Sequence, residues 1–260
     1  MALSVKQKAE IKALVELTIK NKLSRYTRES KSMPFLSALM QDDEKVASYS
    51  FIQSMATTLG MSLYEQFSVI IATPNSEACA RNVKVGGTLS SKQKGMIGDI
   101  VNALREGRRS PSISNEIKEV LKISGSGGIA QKGGNVADFY MKKGGVEHFF
   151  EIKTVKPNID VFEKSKTKLL EWAARKGKGV KPFLAFPYNP YAPDPYSRFT
   201  MVNMMDIGKD FLVGEEYWDL IGGKGTYIDL IDSIEEAGKG CREAIQKKIK
   251  EVAKKKIAKV

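Results

Sequence analysis

The sequence predicts an α/β protein: a central mixed β-sheet of about four to five strands flanked by helices, with an N-terminal helical segment, within ordinary sheet sizes. Three observations predict it. Residues 136–157 hold two runs rich in aromatic and β-branched residues on either side of Gly144-Gly145, and glycine tolerates the positive φ of a two-residue type I′ turn, so the stretch reads as a β-hairpin. A helical stretch, Asp160 to Arg175, and a short apolar run, Val180 to Phe186, then complete a strand, helix, strand order of the kind that builds a helix-covered sheet. The N-terminal third carries helical periodicity instead.

From Val5 to Leu23, Ile11, Leu14, Val15 and Ile19 recur near helical spacing, an amphipathic helix that packs on the main body or on a partner subunit. Pro34 opens a second helix at its first turn, with Phe35, Leu36, Leu39 and Met40 as its apolar side. Glu44 to Ala72 is a longer helical region with Gly60 as a break, and Ala47, Ser50, Ser54 and Ala56 permit close helix approach. Thr73 to Ser91 is loop with a short strand, Ser91 caps a helix through Leu104, and Ser114 to Leu121 is the next helix. Ser124 to Asn135 is glycine-rich, either backbone that approaches a partner closely or a flexible linker. Past the hairpin, Pro157 ends the strand, and Leu169, Leu170 and Trp172 anchor a helix with several lysines outward. Asn203 to Phe211 reads as a short helix, Glu215 to Leu220 as a packed segment carrying Trp218, and Tyr227 to Ile234 and Ala237 to Val260 as helical. The 260 residues suffice to bury a full core as one domain, with 1–72 a helical N-terminal segment, 73–235 the core and 236–260 a basic C-terminal helix.

The hairpin also carries chemistry. With Gly144 and Gly145 at the turn, Lys143 faces Val146, Lys142 faces Glu147, and Asp138 falls opposite Glu151. Opposed residues share a face. One face carries Ala137, Phe139, Met141, Val146, His148, Phe150 and Ile152, which suits a core; the other carries Asp138, Tyr140, Lys142, Glu147, Phe149, Glu151 and Lys153. Directly opposed carboxylates repel unless something compensates them, and a hard divalent ion such as Mg²⁺ prefers their oxygens. Lys153, on the same face, can steady charge developing on a phosphate. His148, the only histidine, falls on the apolar face and reads as tucked and hydrogen-bonded, since a general base must reach the reacting group.

With 42 Lys plus Arg against 30 Asp plus Glu, the net charge is +12 and a polyanionic partner follows. Nucleic acid is favoured over a membrane surface, because the metal site is of the phosphate-handling type and no segment has the length of a membrane span. Lys92, Lys94, Arg105, Arg108 and Arg109 cluster in sequence as a phosphate-contacting patch or, equally, a solvated face. Asn135 and the proline-stiffened loop bearing Tyr188, Asn189 and Arg198 are the further DNA-contacting residues, the loop offering stacking and base-edge hydrogen bonds unless it is only structural. Cys79 and Cys241, far apart, imply no disulfide framework or zinc site. No signal-type apolar core occupies Met1 to Lys20, so the expected location is cytoplasmic.

At Asp138 and at Glu151-Ile152-Lys153 the chain resembles the PD-(D/E)xK nucleases, with Ala137 standing where that family often has proline. Met33 to Ala72, the hairpin and Phe183 to Pro190 look like type II restriction endonucleases, in particular a subgroup that cuts GGNCC. The resemblance implies a restriction-endonuclease-like core and Mg²⁺-dependent hydrolysis of double-stranded DNA leaving 5′-phosphates. It implies that Asp138 and Glu151 hold the metal and that Lys153 positions and activates the attacking water. Glu65 then reads either as an accessory carboxylate on the helix that opens the core or as an exposed helix residue. A companion methyltransferase of a restriction-modification system follows from the same resemblance, and a homodimer is expected because one site cuts one strand of a two-fold symmetric duplex. Two rivals stand beside it: a structure-specific nuclease such as a junction resolvase or repair nuclease, and a non-catalytic nucleic-acid-binding module whose acidic pair is structural.

Overall fold

A computed structural model describes residues 2–27, 32–58, 60, 63–130, 135–153, 156–197 and 203–254. Its internal contacts divide the chain into two compact units, Leu3–Tyr64 with Ile228–Val260, and Glu65–Tyr227.

The first unit is helical. Helix α1 (Val5–Arg25) starts at Ser4, whose hydroxyl and the Gln7 side chain cap each other's backbone N–H groups, and it buries Ile11, Val15 and Ile19. The apolar stripe predicted for this helix is therefore spent within the chain. Helix α2 (Pro34–Met40) has proline at its first position, as predicted, but its apolar side is not packed. Phe35 is 92 % and Leu39 80 % exposed, and Leu36 alone turns toward the core of Val46, Ala47 and Phe51 on α3 (Asp43–Thr58), since a two-turn helix offers its neighbour little more than one residue. A single long C-terminal helix, α9, runs Thr226–Lys254 where the sequence suggested two segments. Asp229 on α9 accepts the Leu3 N–H at 3.0 Å and pairs with Lys8 at 2.6 Å, and Val252, Ile245 and Ile249 join the core around Phe51.

The second unit is a five-stranded mixed sheet in the order β1 (Ala78–Lys84), β2 (Val136–Lys143), β3 (Val146–Ile152), β4 (Val180–Phe186), β5 (Phe211–Val213). The first three strands are antiparallel, and β3, β4 and β5 run parallel. The turn glycines Gly144 and Gly145 have φ of 59° and 74°, and the register is the predicted one, Lys143 against Val146 and Lys142 against Glu147. Helices α5 (Ser91–Arg105), α6 (Ile113–Lys122) and α7 (Ile159–Lys176) supply Ile97, Val101, Val120, Leu169 and Trp172 to one core. On the opposite face lie α4 (Tyr64–Ala72) and α8 (Glu215–Gly222), joined by a 2.6 Å hydrogen bond between Ser68 and Tyr217, with Tyr217 packed on Phe150. The expectation of one apolar hairpin face is thus corrected. Phe149, on the face taken as polar, is 2 % exposed and packs on Trp172, because a central strand covered by helices on both sides buries both of its faces.

Two local expectations also change. Residues 203–210 form turns rather than a helix: Gly208 sits at φ 73°, and the Asp206 N–H donates to the Asp210 carboxylate at 2.7 Å before Phe211 enters β5. Ser90, one residue before the expected cap, caps α5 reciprocally with Gln93. His148 is 6 % exposed, lies 3.0 Å from the Val146 carbonyl and stacks against Phe183, and burial lowers its pKa. Among the described residues no helix is long and apolar enough to cross a membrane.

Candidate active site

The carboxylates stand where the hairpin comes apart. Pairing between β2 and β3 runs from the turn to Phe139 and Phe150 and stops there. Beyond that point β2 stays with β1, Ala137 against Val83, while β3 stays with β4, Glu151 against Leu184 and Ile152 against Ala185. The sheet opens, and a strand that leaves its neighbour strands backbone donors that need new acceptors. Asp138 supplies one: its Oδ2 accepts the Ile152 N–H at 2.8 Å. That bond ties the end of β2 to the end of β3 through a side chain.

Into the opening come two carboxylates and two ammonium groups. Lys153 Nζ lies 2.5 Å from Glu151 Oε1 and 3.6 Å from Asp138 Oδ2, and Lys168 of α7 bonds Glu151 Oε2. Glu151 is 4 % exposed. Burial pushes the Asp138 carboxyl above its ordinary range and the Glu151 charge adds to the push, against Lys153, the Ile152 N–H and Lys168. Burial works against the Lys153 ammonium, but Glu151 and Asp138 outweigh it and hold its pKa above the usual lysine value. Glu65, in the first turn of α4, joins the same field. It accepts a hydrogen bond from Asn82 at 3.4 Å, and burial followed by the Asp138 charge raises its pKa.

Among the described residues no three histidine, cysteine or carboxylate side chains converge on one metal-binding point. Two hard oxygen donors still suit Mg²⁺, which keeps several waters and is commonly held by one or two carboxylates. Burial first, and then a neighbouring carboxylate, raises the pKa of both Asp138 and Glu65, and a cation bound beside them would favour their charged forms.

The basic residues singled out for DNA contact are placed differently from one another. Arg105 is engaged by Glu163 and Asp160, Arg108 by Glu106, and Arg109 holds Glu119 in a fork at 2.9 and 3.0 Å, so their charge is locally balanced. Lys92 and Lys94 are exposed in the first turn of α5. Asn135 is buried and donates to the Val85 carbonyl at 3.3 Å, which fastens β1 to β2 and leaves its amide facing inward. Tyr188 is exposed, whereas the Asn189 side chain closes its own loop, donating to the Asp194 carbonyl and accepting from the Tyr191 N–H. Arg198 lies outside the described residues, as do residues 131–134 of the glycine-rich stretch. In the described part of that stretch the close approach is internal: a Cβ on Gly128 would come within 2.8 Å of Thr88 Oγ1.

The expectation of several outward lysines on α7 is corrected at two of them. Lys168 reaches Glu151 and lies 5.2 Å over the Trp172 ring. Lys166 is fully buried, 2.7 Å from Glu116 and 2.5 Å from Asp210. The signal for Lys166 is in the sequence: with Phe162, Leu169, Leu170 and Ala173 it falls on the apolar stripe of α7. Lys168 carries no such signal beyond standing one turn before Trp172.

Comparison with known proteins gives the family. The chain is similar to the type II restriction enzyme HgiCII of Herpetosiphon aurantiacus, 30% identical over 76% of this chain and 75% of the relative. It is also similar to HgiEI of the same organism, 29% identical over 72% of this chain and 71% of the relative. The type II restriction enzyme MjaII of Methanocaldococcus jannaschii is 28% identical over 71% of this chain and 54% of its own length. Residues 3–238 match the family described as HinfI, type II restriction endonuclease. The two rival readings, a shape-reading nuclease and a binding module, give way, and the chain belongs to the HinfI family of type II restriction endonucleases.

Proposed function

We propose that this endonuclease hydrolyses a phosphodiester in each strand of a specific duplex DNA sequence with Mg²⁺ as cofactor, leaving 5′-phosphate and 3′-hydroxyl ends. The observation that carries the reading is the opening between β2 and β3, which gathers Asp138, Glu151 and Lys153 at one point. Asp138 and Glu151 would hold the ion, which when bound polarises a phosphoryl oxygen and acidifies water. Asp138 is steadied for that task by the Ile152 N–H, so its carboxylate is oriented before any ligand arrives. Lys153, kept charged by its two acidic neighbours, presents an ammonium to the reacting phosphate and orients the attacking water. Glu65 adds negative charge beside Asp138 and serves as an accessory carboxylate. Lys168 holds Glu151 in place from α7.

The recognition sequence proposed is GGNCC, on resemblance to the subgroup that cuts it, and the working unit a homodimer. Cleavage of plasmid DNA with and without Mg²⁺ tests the core of the reading. Discrete fragments ending at GGNCC, dependent on the ion and carrying 5′-phosphates, are the expected result. Cutting without any divalent ion, or fragments that map to no common sequence, would overturn it.

A further inference from the structure

Strand β4 outruns its outer neighbour. Only Leu184, Ala185 and Phe186 pair with β5, so from Val180 to Phe183 the outer edge of β4 carries no strand among the described residues. The parity of that edge follows from its bonds. The Leu184 N–H donates to Asp210 and the Phe186 carbonyl accepts from Gly214, both on the outer side, while the Ala185 carbonyl accepts the Lys153 N–H on the inner side. Val180 and Pro182 therefore turn outward as well. The open edge presents the Val180 N–H and the carbonyls of Val180 and Pro182. Proline removes one donor from it, a device that blunts indiscriminate strand pairing without closing the edge.

Beside this edge lies a cavity of about 1160 Å³ walled by Ile117 and Leu121 of α6, Val180 and Phe183 of β4, Leu212 of β5 and Leu220 of α8. Five lysines stand around it, Lys118, Lys122, Lys178, Lys181 and Lys209, with Glu216 as the one carboxylate. All five are exposed, and none forms an ion pair among the described residues. Arg105, Arg108 and Arg109 each have an acidic partner, whereas these five lysines surround one apolar cavity with a single carboxylate among them.

We propose that this cleft binds an acidic, extended peptide segment of a partner protein, added as a strand along the open half of β4. Backbone N–H groups of the segment would reach the Val180 and Pro182 carbonyls. Alternate apolar side chains would enter the cavity, and the carboxylates between them would meet the lysines. Duplex DNA fits less well: its phosphates need cations but have nothing to place on an apolar floor, and the floor offers a single aromatic ring, Phe183, for stacking a base.

The test is fluorescence polarisation of a fluorescein-labelled peptide, acetyl-Glu-Val-Glu-Leu-Glu-Val-Glu-amide, titrated with the full chain. Saturable binding is expected, weakened by salt, absent for the peptide with lysine in place of glutamate, and lost when alternate backbone nitrogens are methylated. Lys118→Glu together with Lys122→Glu should weaken binding by about tenfold or more, since like charges then face each other across the contact. Leu121→Glu should abolish it, while both variants cleave plasmid DNA as the wild type does. Failure of the acidic peptide to saturate, or equal binding of the methylated peptide, overturns the proposal. So does a loss of DNA affinity in the double lysine variant, which would assign the lysines to phosphate. Self-association of the wild type that vanishes in Leu121→Glu overturns it in favour of a second copy of this chain.

Discussion

Lys153 is held by two carboxylates at once, and replacing any one of the three should stop cleavage. Asp138→Ala or Glu151→Ala removes a proposed metal donor and an anion that repels phosphate, so cleavage should fall by at least about two orders of magnitude while DNA binding persists or tightens. Lys153→Ala should be similarly inactive yet folded. Initial rates on plasmid DNA with gel-shift affinities check this, and normal turnover by either acidic variant would sink the assignment. A second single-residue prediction concerns Asp210. Burial first, opposed by Lys166 and reinforced by Glu116, raises its pKa to about 6 from 3.8. A carboxyl with a raised native pKa contributes stability that is complete below the unfolded value and is lost as pH rises through the native one. Between pH 6 and pH 4 this group should therefore add about 1.4 kcal/mol of stability for each pH unit lowered. Urea unfolding of wild type and Asp210→Asn across that range isolates the contribution, and parallel curves would refute it.

Buried charge also acts between elements. Lys166 on α7, Glu116 on α6 and Asp210 just before β5 are all fully buried, so one triad pins two helices to the edge of the sheet. Lys166→Ala should cost about 3–5 kcal/mol, because it leaves two carboxylates buried without a counter-charge. A shift of the denaturation midpoint far smaller than that would mean the acids simply take up protons. The hairpin was the most legible element: two glycines and period-two alternation are local signals, and from them the register near the turn could be read directly. The expected direct opposition of Asp138 and Glu151 gives way to a bond from the Ile152 N–H to the Asp138 side chain where pairing stops. What stayed hidden was non-local. The burial of Phe149 depends on Trp172, the inward turn of Lys168 depends on Glu151, and the idle apolar side of α2 depends on what does not pack there. None of these is a property of its own stretch of chain.

On the scale of the molecule, a net charge of +12 should act on DNA as a counterion-release engine. The log of affinity should fall linearly with the log of salt, at about 0.9 per phosphate contact. Since the arginines of the patch are already paired, charge reversal at the exposed Lys92 and Lys94 should flatten that slope more than reversal at Arg108. A salt-independent affinity would remove the charge from the DNA footprint. The proposed homodimer has a matching geometric reason. One site cuts one strand, and a symmetric sequence presents its second strand related by a two-fold axis. Sedimentation with a cognate duplex should give two chains per site, and mixing wild-type with Glu151→Ala chains should yield nicked circles. The contact is not made by the stripe of Ile11, Val15 and Ile19, which is buried in its own chain.

The bond from the Ile152 N–H to Asp138 bears on how the enzyme could be disarmed. An amide oxygen still accepts that hydrogen, though less strongly than a carboxylate, whereas a methyl group leaves the donor orphaned. Asp138→Asn should keep the two strand ends clasped while stripping the charge a metal needs. Such a chain would be a landing marker, one that settles on its target sequence and stays without cutting.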